Sequence, residues 1–78
     1  MDYRIRNSEY IPLKLQLSVM DEYYPNSLKG DIAATAKLFE VYNSYIALYG
    51  HELSMNCGLC IGKVQNAFKI IIDHWKQS

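Results

Sequence analysis

Neither sign of charge dominates this chain: eight Lys and Arg balance eight Asp and Glu in 78 residues, a formal net charge of zero. Without a basic excess there is little counterion release to drive nucleic-acid binding, and no polybasic footprint for a membrane surface. Long hydrophobic runs are missing as well. The unbroken apolar stretches are only a few residues long, far below the roughly 20 that span a bilayer. The opening Met1-Asp2-Tyr3-Arg4 lacks the apolar core of a secretion signal. The chain is therefore expected in a reducing cytoplasm, where a disulfide is a transient state. Histidine and cysteine occur only twice each, and no nucleophile–base pair stands out. Gly62-Lys63 is followed by Val64 where a phosphate loop needs Ser or Thr, and position 55 after His51-Glu52 is Met rather than the His of a zincin helix. The carboxylates are scattered, and none pairs within an apolar segment as a tuned general acid does. These absences argue against an enzyme.

Apolar residues are plentiful. They make up 50% of the chain, with seven tyrosines among them. A domain of this size has one small core and cannot hide so much apolar surface. Tyrosine joins a large apolar body to a polar tip, which suits surfaces buried against a partner. There are no internal repeats, low-complexity runs or linkers, so one domain is expected.

Residues 1–11 show no helical stripe and read as an extended N-terminal arm carrying Tyr3 and Tyr10. Residues 12–78 read as a single helical domain. Pro12 fits a first helical turn, and Leu13, Leu17, Met20 and Tyr24 then recur at helical spacing. The alternation Leu13, Leu15, Leu17, Val19 fits a strand equally well. The Leu, Met, Gln and Glu content decides for helix, with Pro25 ending it. Asn26 to Asp31 punctuates the chain, and Asp31 or Ser27 can cap the next helix. That helix carries Leu28, Ile32, Thr35, Phe39, Tyr42, Ile46 and Tyr49, with Gly50 at a left-handed C-cap. A second line, Leu38, Val41, Tyr45 and Leu48, widens its apolar face, as expected of packing on two sides. A third helix runs from about Cys57 to Lys76 with Cys57, Cys60, Val64, Ala67, Phe68, Ile71 and Trp75 on one stripe. The expected class is all-α: a three-helix domain with an extended arm.

Cys57-Gly58-Leu59-Cys60 holds both cysteines at metal-ligand or redox spacing. A zinc site needs four ligands. His51 is near enough to give a third, but His74 lies fourteen residues beyond Cys60, roughly 21 Å along a helix. His51, Cys57 and Cys60 close a zinc site only with a ligand from Glu52 or a partner chain. As a thiol-redox pair, a Cys-x-x-Cys at a helix start has a lowered first pKa, yet such pairs normally follow a strand in a βαβ unit, and no parallel sheet is evident. The structural reading places both cysteines in the core stripe as small hydrophobes, and it is preferred, with no cofactor. Gly58 and Gly62 fall one turn apart on the opposite side, where they let another backbone approach.

The run from Tyr24-Pro25-Asn26-Ser27 through Leu38-Phe39-Glu40-Val41-Tyr42 to Cys57-Gly58-Leu59-Cys60 and its amphipathic helix resembles a group of small proteins encoded by tailed bacteriophages of gut bacteria. The resemblance covers about the C-terminal two thirds. It implies a virion accessory or assembly role, with synthesis in the host cytoplasm and possible incorporation into a particle, and carries over no functional residues. The expected function is thus that of a non-enzymatic structural or interaction subunit binding itself or other protein subunits. Its contact residues are expected to be Leu38, Tyr42, Tyr45, Leu48 and Tyr49, then Tyr3 and Tyr10, with Gly58 and Gly62 as a docking surface. The competing classes are a zinc-binding adaptor and a thiol-redox protein.

Overall fold

The arm expected to be extended is helical. In the computed structural model, which describes residues 2–77, α1 spans Tyr3–Ser8. Its signal is local rather than periodic. The Asp2 carboxylate accepts from the Arg4 amide at 2.9 Å, capping the first turn, and pairs with the Arg4 guanidinium at 2.7 Å. That contact holds the Asp2 carboxyl near pKa 2 through hydrogen bonds from the Arg4 side chain and amide. At the other end Ser8 is buried and donates to the Ile5 carbonyl at 2.6 Å. The Asn7 side chain donates to the Ile46 carbonyl at 3.0 Å. A six-residue helix that buries a serine offers no apolar stripe for a sequence pattern to detect.

Leu13–Ser18 is helical, settling the strand ambiguity, and forms α2. The helix does not end at Pro25. It passes through a π-turn at Val19–Tyr23 into α3, Tyr24–Leu28, as one continuous rod. The Tyr24 amide reaches back five residues to the Val19 carbonyl. Proline lacks an N–H, and its ring crowds the carbonyl four residues earlier in a regular helix. The wider turn just before Pro25 relieves that crowding.

Gly30 stops the rod at a φ of 92°. The Gly30 amide bonds to the Ser27 carbonyl at 3.0 Å and the Asp31 amide to that of Asn26 at 3.0 Å, a Schellman closure in which Gly30 takes the left-handed position. Asp31 then caps α4, Ile32–Val41, by accepting from the Ala34 amide at 2.9 Å. A second π-turn, Tyr42–Ile46, ends this helix four residues before Gly50. The Ala47 amide closes it on the Tyr42 carbonyl at 2.8 Å, and Ala47 is extended. Gly50, at a φ of 82°, instead shapes a separate turn in which His51 N–H meets the Leu48 carbonyl at 2.9 Å. The last helix, α5, spans Gly58–Gln77.

The described residues therefore form an all-α fold of four helical rods, with no strand, rather than three helices and an arm. Helix α5 supplies Val64, Ala67, Phe68, Ile71 and Ile72 to one core. Facing them are Leu38, Phe39, Val41, Tyr42 and Ile46 from α4 and its π-turn, with Ile11 and Val19 closing the other side. Helix α1 packs on α5 and on the Tyr42–Ile46 turn. A buried polar cluster ties three helices together. Ser27 and Thr35 share a hydroxyl–hydroxyl bond of 2.7 Å, and the Gln65 amide donates to the Ser27 hydroxyl at 3.0 Å. Both Ser27 and Thr35 are buried and fully engaged, as such groups must be.

Candidate functional site

The rod from Leu13 to Leu28 has two apolar edges, and the structure turns inward the one that periodicity did not favour. Ile11 and Val19 are fully buried, with Leu15 and Tyr23 packed beside them. Of the expected stripe, Leu13 and Leu17 face solvent, whereas Met20 and Tyr24 pack half-buried on the core. Leu13 is 71% exposed and Leu17 49%, and Tyr10, just ahead of them, is 74% exposed. Met20 and Tyr24 are half-buried and line a shallow hollow with Leu28 and with Lys69, Ile72, Asp73 and Lys76 of α5. Leu13 and Leu17 lie one turn apart and form an exposed apolar seam on α2, with Tyr10 in the turn just ahead of it. Lys14 and Asp21, both exposed, flank it seven residues apart.

Other expected contact residues are placed differently. Leu38 is completely buried and Tyr42 nearly so; both belong to the core rather than to a surface. The two apolar lines of α4 are wide because this helix is packed on several sides within the chain. Tyr42 has its pKa raised by burial first and by a hydrogen bond with Tyr3 second, so Tyr3 is half-buried against it. Tyr45 packs half-buried on the core. Leu48 and Tyr49 lie off the helix on the Gly50 turn, where Tyr49 is 100% exposed. Of the expected set, Tyr10 is exposed in the turn before α2, and Leu48 and Tyr49 are exposed on their own loop.

Gly58 and Gly62 are exposed, and a methyl group at either meets nothing within 4 Å. No neighbour within the chain requires these glycines. Gly62→Ala in the second turn of α5 is therefore expected to stabilise the fold by about 0.5–1 kcal/mol, read as a higher midpoint of urea unfolding. A loss of stability would show that the helix surface at Gly62 is closed.

The two cysteines divide between surface and core. Cys57 is exposed and immediately precedes α5, off the helical stripe, whereas Cys60 is buried one turn inside it. The Cys60 amide bonds to the Cys57 carbonyl at 3.0 Å, closing a tight turn. The Cys57 thiol is held below its ordinary pKa, first by the hydrogen bond from the Cys60 thiol and then by the Cys60 amide, with the Leu59 amide and the Lys63 charge adding to it. The Cys60 thiol moves the opposite way, first through that same contact with Cys57 and then through burial. The two thiols thus have unequal roles.

His51 is exposed in the loop, and among the described residues no three His, Cys, Asp or Glu side chains converge as a metal cluster. His51, Cys57 and Cys60 are not assembled as a ligand set within one chain. Lys63, whose charge acts on both thiols, also lines an open hollow of about 310 Å³ together with Tyr3, Arg4, Tyr42, His51, Leu53, Asn66 and Ala67. Three basic side chains and no carboxylate line it. Sequence spacing located the pair but not this neighbourhood, since Arg4 comes from α1, far away along the chain.

Among the described residues, no helix is long and apolar enough to cross a membrane. No protein-family model matches the chain, and neither a curated protein nor a solved structure is similar to it.

Proposed function

We propose that this chain is a non-enzymatic, self-associating interaction subunit that pairs through the exposed seam of α2. The observation that carries the reading is the pair Leu13 and Leu17, exposed one turn apart on the same face of α2, with exposed Tyr10 in the turn just ahead of that helix. Large apolar side chains grouped on one face mark an interaction surface in a way that scattered ones do not. A second copy is favoured as the occupant by the flanking charges. In an antiparallel pair centred between Leu17 and Ser18, Lys14 of each chain meets Asp21 of the other, twice over by symmetry. Zero net charge adds no long-range repulsion to such pairing. The phage particle implied by the motif resemblance is a setting in which repeated copies assemble.

Sedimentation equilibrium over a concentration series tests the reading. The native chain is expected to dimerise, and Leu13→Glu with Leu17→Glu to weaken association at least about 100-fold, because charges replace the seam's apolar anchors. Their exposure keeps the fold intact. Lys14→Asp is expected to weaken pairing, and adding Asp21→Lys to restore it. A native chain that stays monomeric throughout the series overturns the proposal.

A further inference from the structure

We propose that Cys57 and Cys60 form a two-step thiol–disulfide pair that accepts oxidising equivalents from an anionic low-molecular-weight disulfide of the glutathione class. Three observations on this chain meet at that point. The first is the division of labour: one thiol is open to solvent and its partner is buried beside it. The second is reach. The Cys57 to Cys60 turn is closed by a 3.0 Å backbone bond, and such turns bring their end Cα atoms within about 7 Å, overlapping the span a disulfide bridges. The third is the basic hollow. Lys63, one turn beyond Cys60, lines it and acts on both thiols. Arg4 in the same hollow is already paired with Asp2, whereas Lys63 has no carboxylate partner among the described residues. Glutathione disulfide carries a net negative charge on each half, matching this lining.

The chemistry balances in two exchanges. The Cys57 thiolate attacks one sulfur of glutathione disulfide; that S–S bond breaks, a Cys57–glutathione bond forms, and one glutathione leaves as thiolate. Cys60, held against Cys57, then attacks the Cys57 sulfur. It attacks as the thiolate after losing its proton to water; the mixed disulfide breaks, the Cys57–Cys60 bond forms, and the second glutathione leaves as thiolate. Two protein thiols are oxidised to one disulfide, and glutathione disulfide is reduced to two glutathiones. The lowered Cys57 pKa and raised Cys60 pKa make the exposed thiol the first of the two to ionise, and so the one that attacks first. Nothing larger than the incoming disulfide has to enter the fold.

The test follows acid-quenched intact mass after adding glutathione disulfide to the fully reduced chain. The native chain is expected to become two hydrogens lighter without accumulating an adduct. Cys60→Ser is expected to accumulate one glutathionyl group on Cys57, and Cys57→Ser to remain unmodified while folded. Circular dichroism checks both variants. If Cys60→Ser fails to fold, Cys60→Ala replaces it, and rapid quenching of the native chain reads the mixed intermediate directly. Glutathione disulfide should react roughly tenfold faster than neutral hydroxyethyl disulfide at low ionic strength, an advantage removed by salt or by Lys63→Gln. Alkylation of Cys57 by iodoacetamide should reach its half-maximal rate at lower pH than in the urea-unfolded chain. A lasting glutathionyl adduct on the native chain, or reaction no faster than in the unfolded chain, overturns the pair. Equal rates with the anionic and neutral disulfides overturn the assignment of its substrate.

Discussion

Replacing Phe68 with alanine is expected to cost about 3–5 kcal/mol, the largest single loss available in this fold. Phe68 is completely buried at the middle of α5, among Val64, Ala67, Ile71 and Ile72 on its own helix and the α4 residues opposite. Removing the ring forfeits its transfer from water and leaves a cavity that several helices line at once. None can move in to fill it without leaving another contact. A domain of 78 residues has roughly 4–12 kcal/mol of total stability, so the variant sits at or beyond the edge of folding. Urea unfolding followed by far-UV circular dichroism measures the loss. Leu59→Ala on the same helix is the control: Leu59 is 79% exposed, and its truncation should stay within about 0.5 kcal/mol. A Phe68→Ala chain that unfolds near the native midpoint would mean that the core lies elsewhere.

The contrast between Phe68 and Leu59 was legible in the sequence. The stripe Cys60, Val64, Ala67, Phe68 and Ile71 is buried along one line of α5, because a long helix with a single apolar face has one way to meet a core. Asp31 as a cap was legible for the same local reason, since a short acidic side chain answers free amides, but the break falls at residues 29–31 rather than 26–31 because the rod runs through Pro25 to Leu28. The rod before them was harder. Ile11, Leu15, Val19 and Tyr23 step by four, and Leu13, Leu17, Met20 and Tyr24 by four and three, and nothing in the residue types says which line faces inward. In the fold the line with Ile11 and Val19 faces inward, both residues belonging to the core. Helix α1 was invisible because capping and a buried serine, not periodicity, hold it. The π-turns were invisible because they arise from crowding at Pro25 and from the geometry of a helix end. At the cysteines, the spacing showed a pair, but only the fold shows that one member is outside and the other inside. The basic hollow lined by Lys63 and Arg4 needs α1 to return to α5, which no local pattern encodes.

A single side chain holds the loop that delivers Cys57, and its loss should be felt out of proportion to its size. Asn43, in the turn that ends α4, donates from Nδ2 to the Leu53 carbonyl at 2.8 Å and accepts the Leu53 amide on Oδ1 at 2.9 Å. It replaces a strand partner for one residue of the connection, and with it Leu53 and Met55 pack on the core. Asn43→Ala removes both bonds and is expected to cost about 2–3 kcal/mol, with faster hydrogen exchange at the Leu53 amide. Asn43→Asp separates the two bonds. A carboxylate still accepts from the Leu53 amide but opposes the Leu53 carbonyl, so at neutral pH this variant should be no more stable than Asn43→Ala. Protonated, it can donate to that carbonyl again. The folded state then favours the proton, which raises the introduced group's pKa above the unfolded value of about 3.9. A raised pKa gives stability that is present below the unfolded pKa and lost as pH climbs through the folded one. Stability of Asn43→Asp relative to Asn43→Ala should therefore increase as pH falls from 7 toward 4, measured by urea unfolding at each pH. A difference that stays flat over that range would show that the Nδ2 bond to Leu53 does not hold the loop.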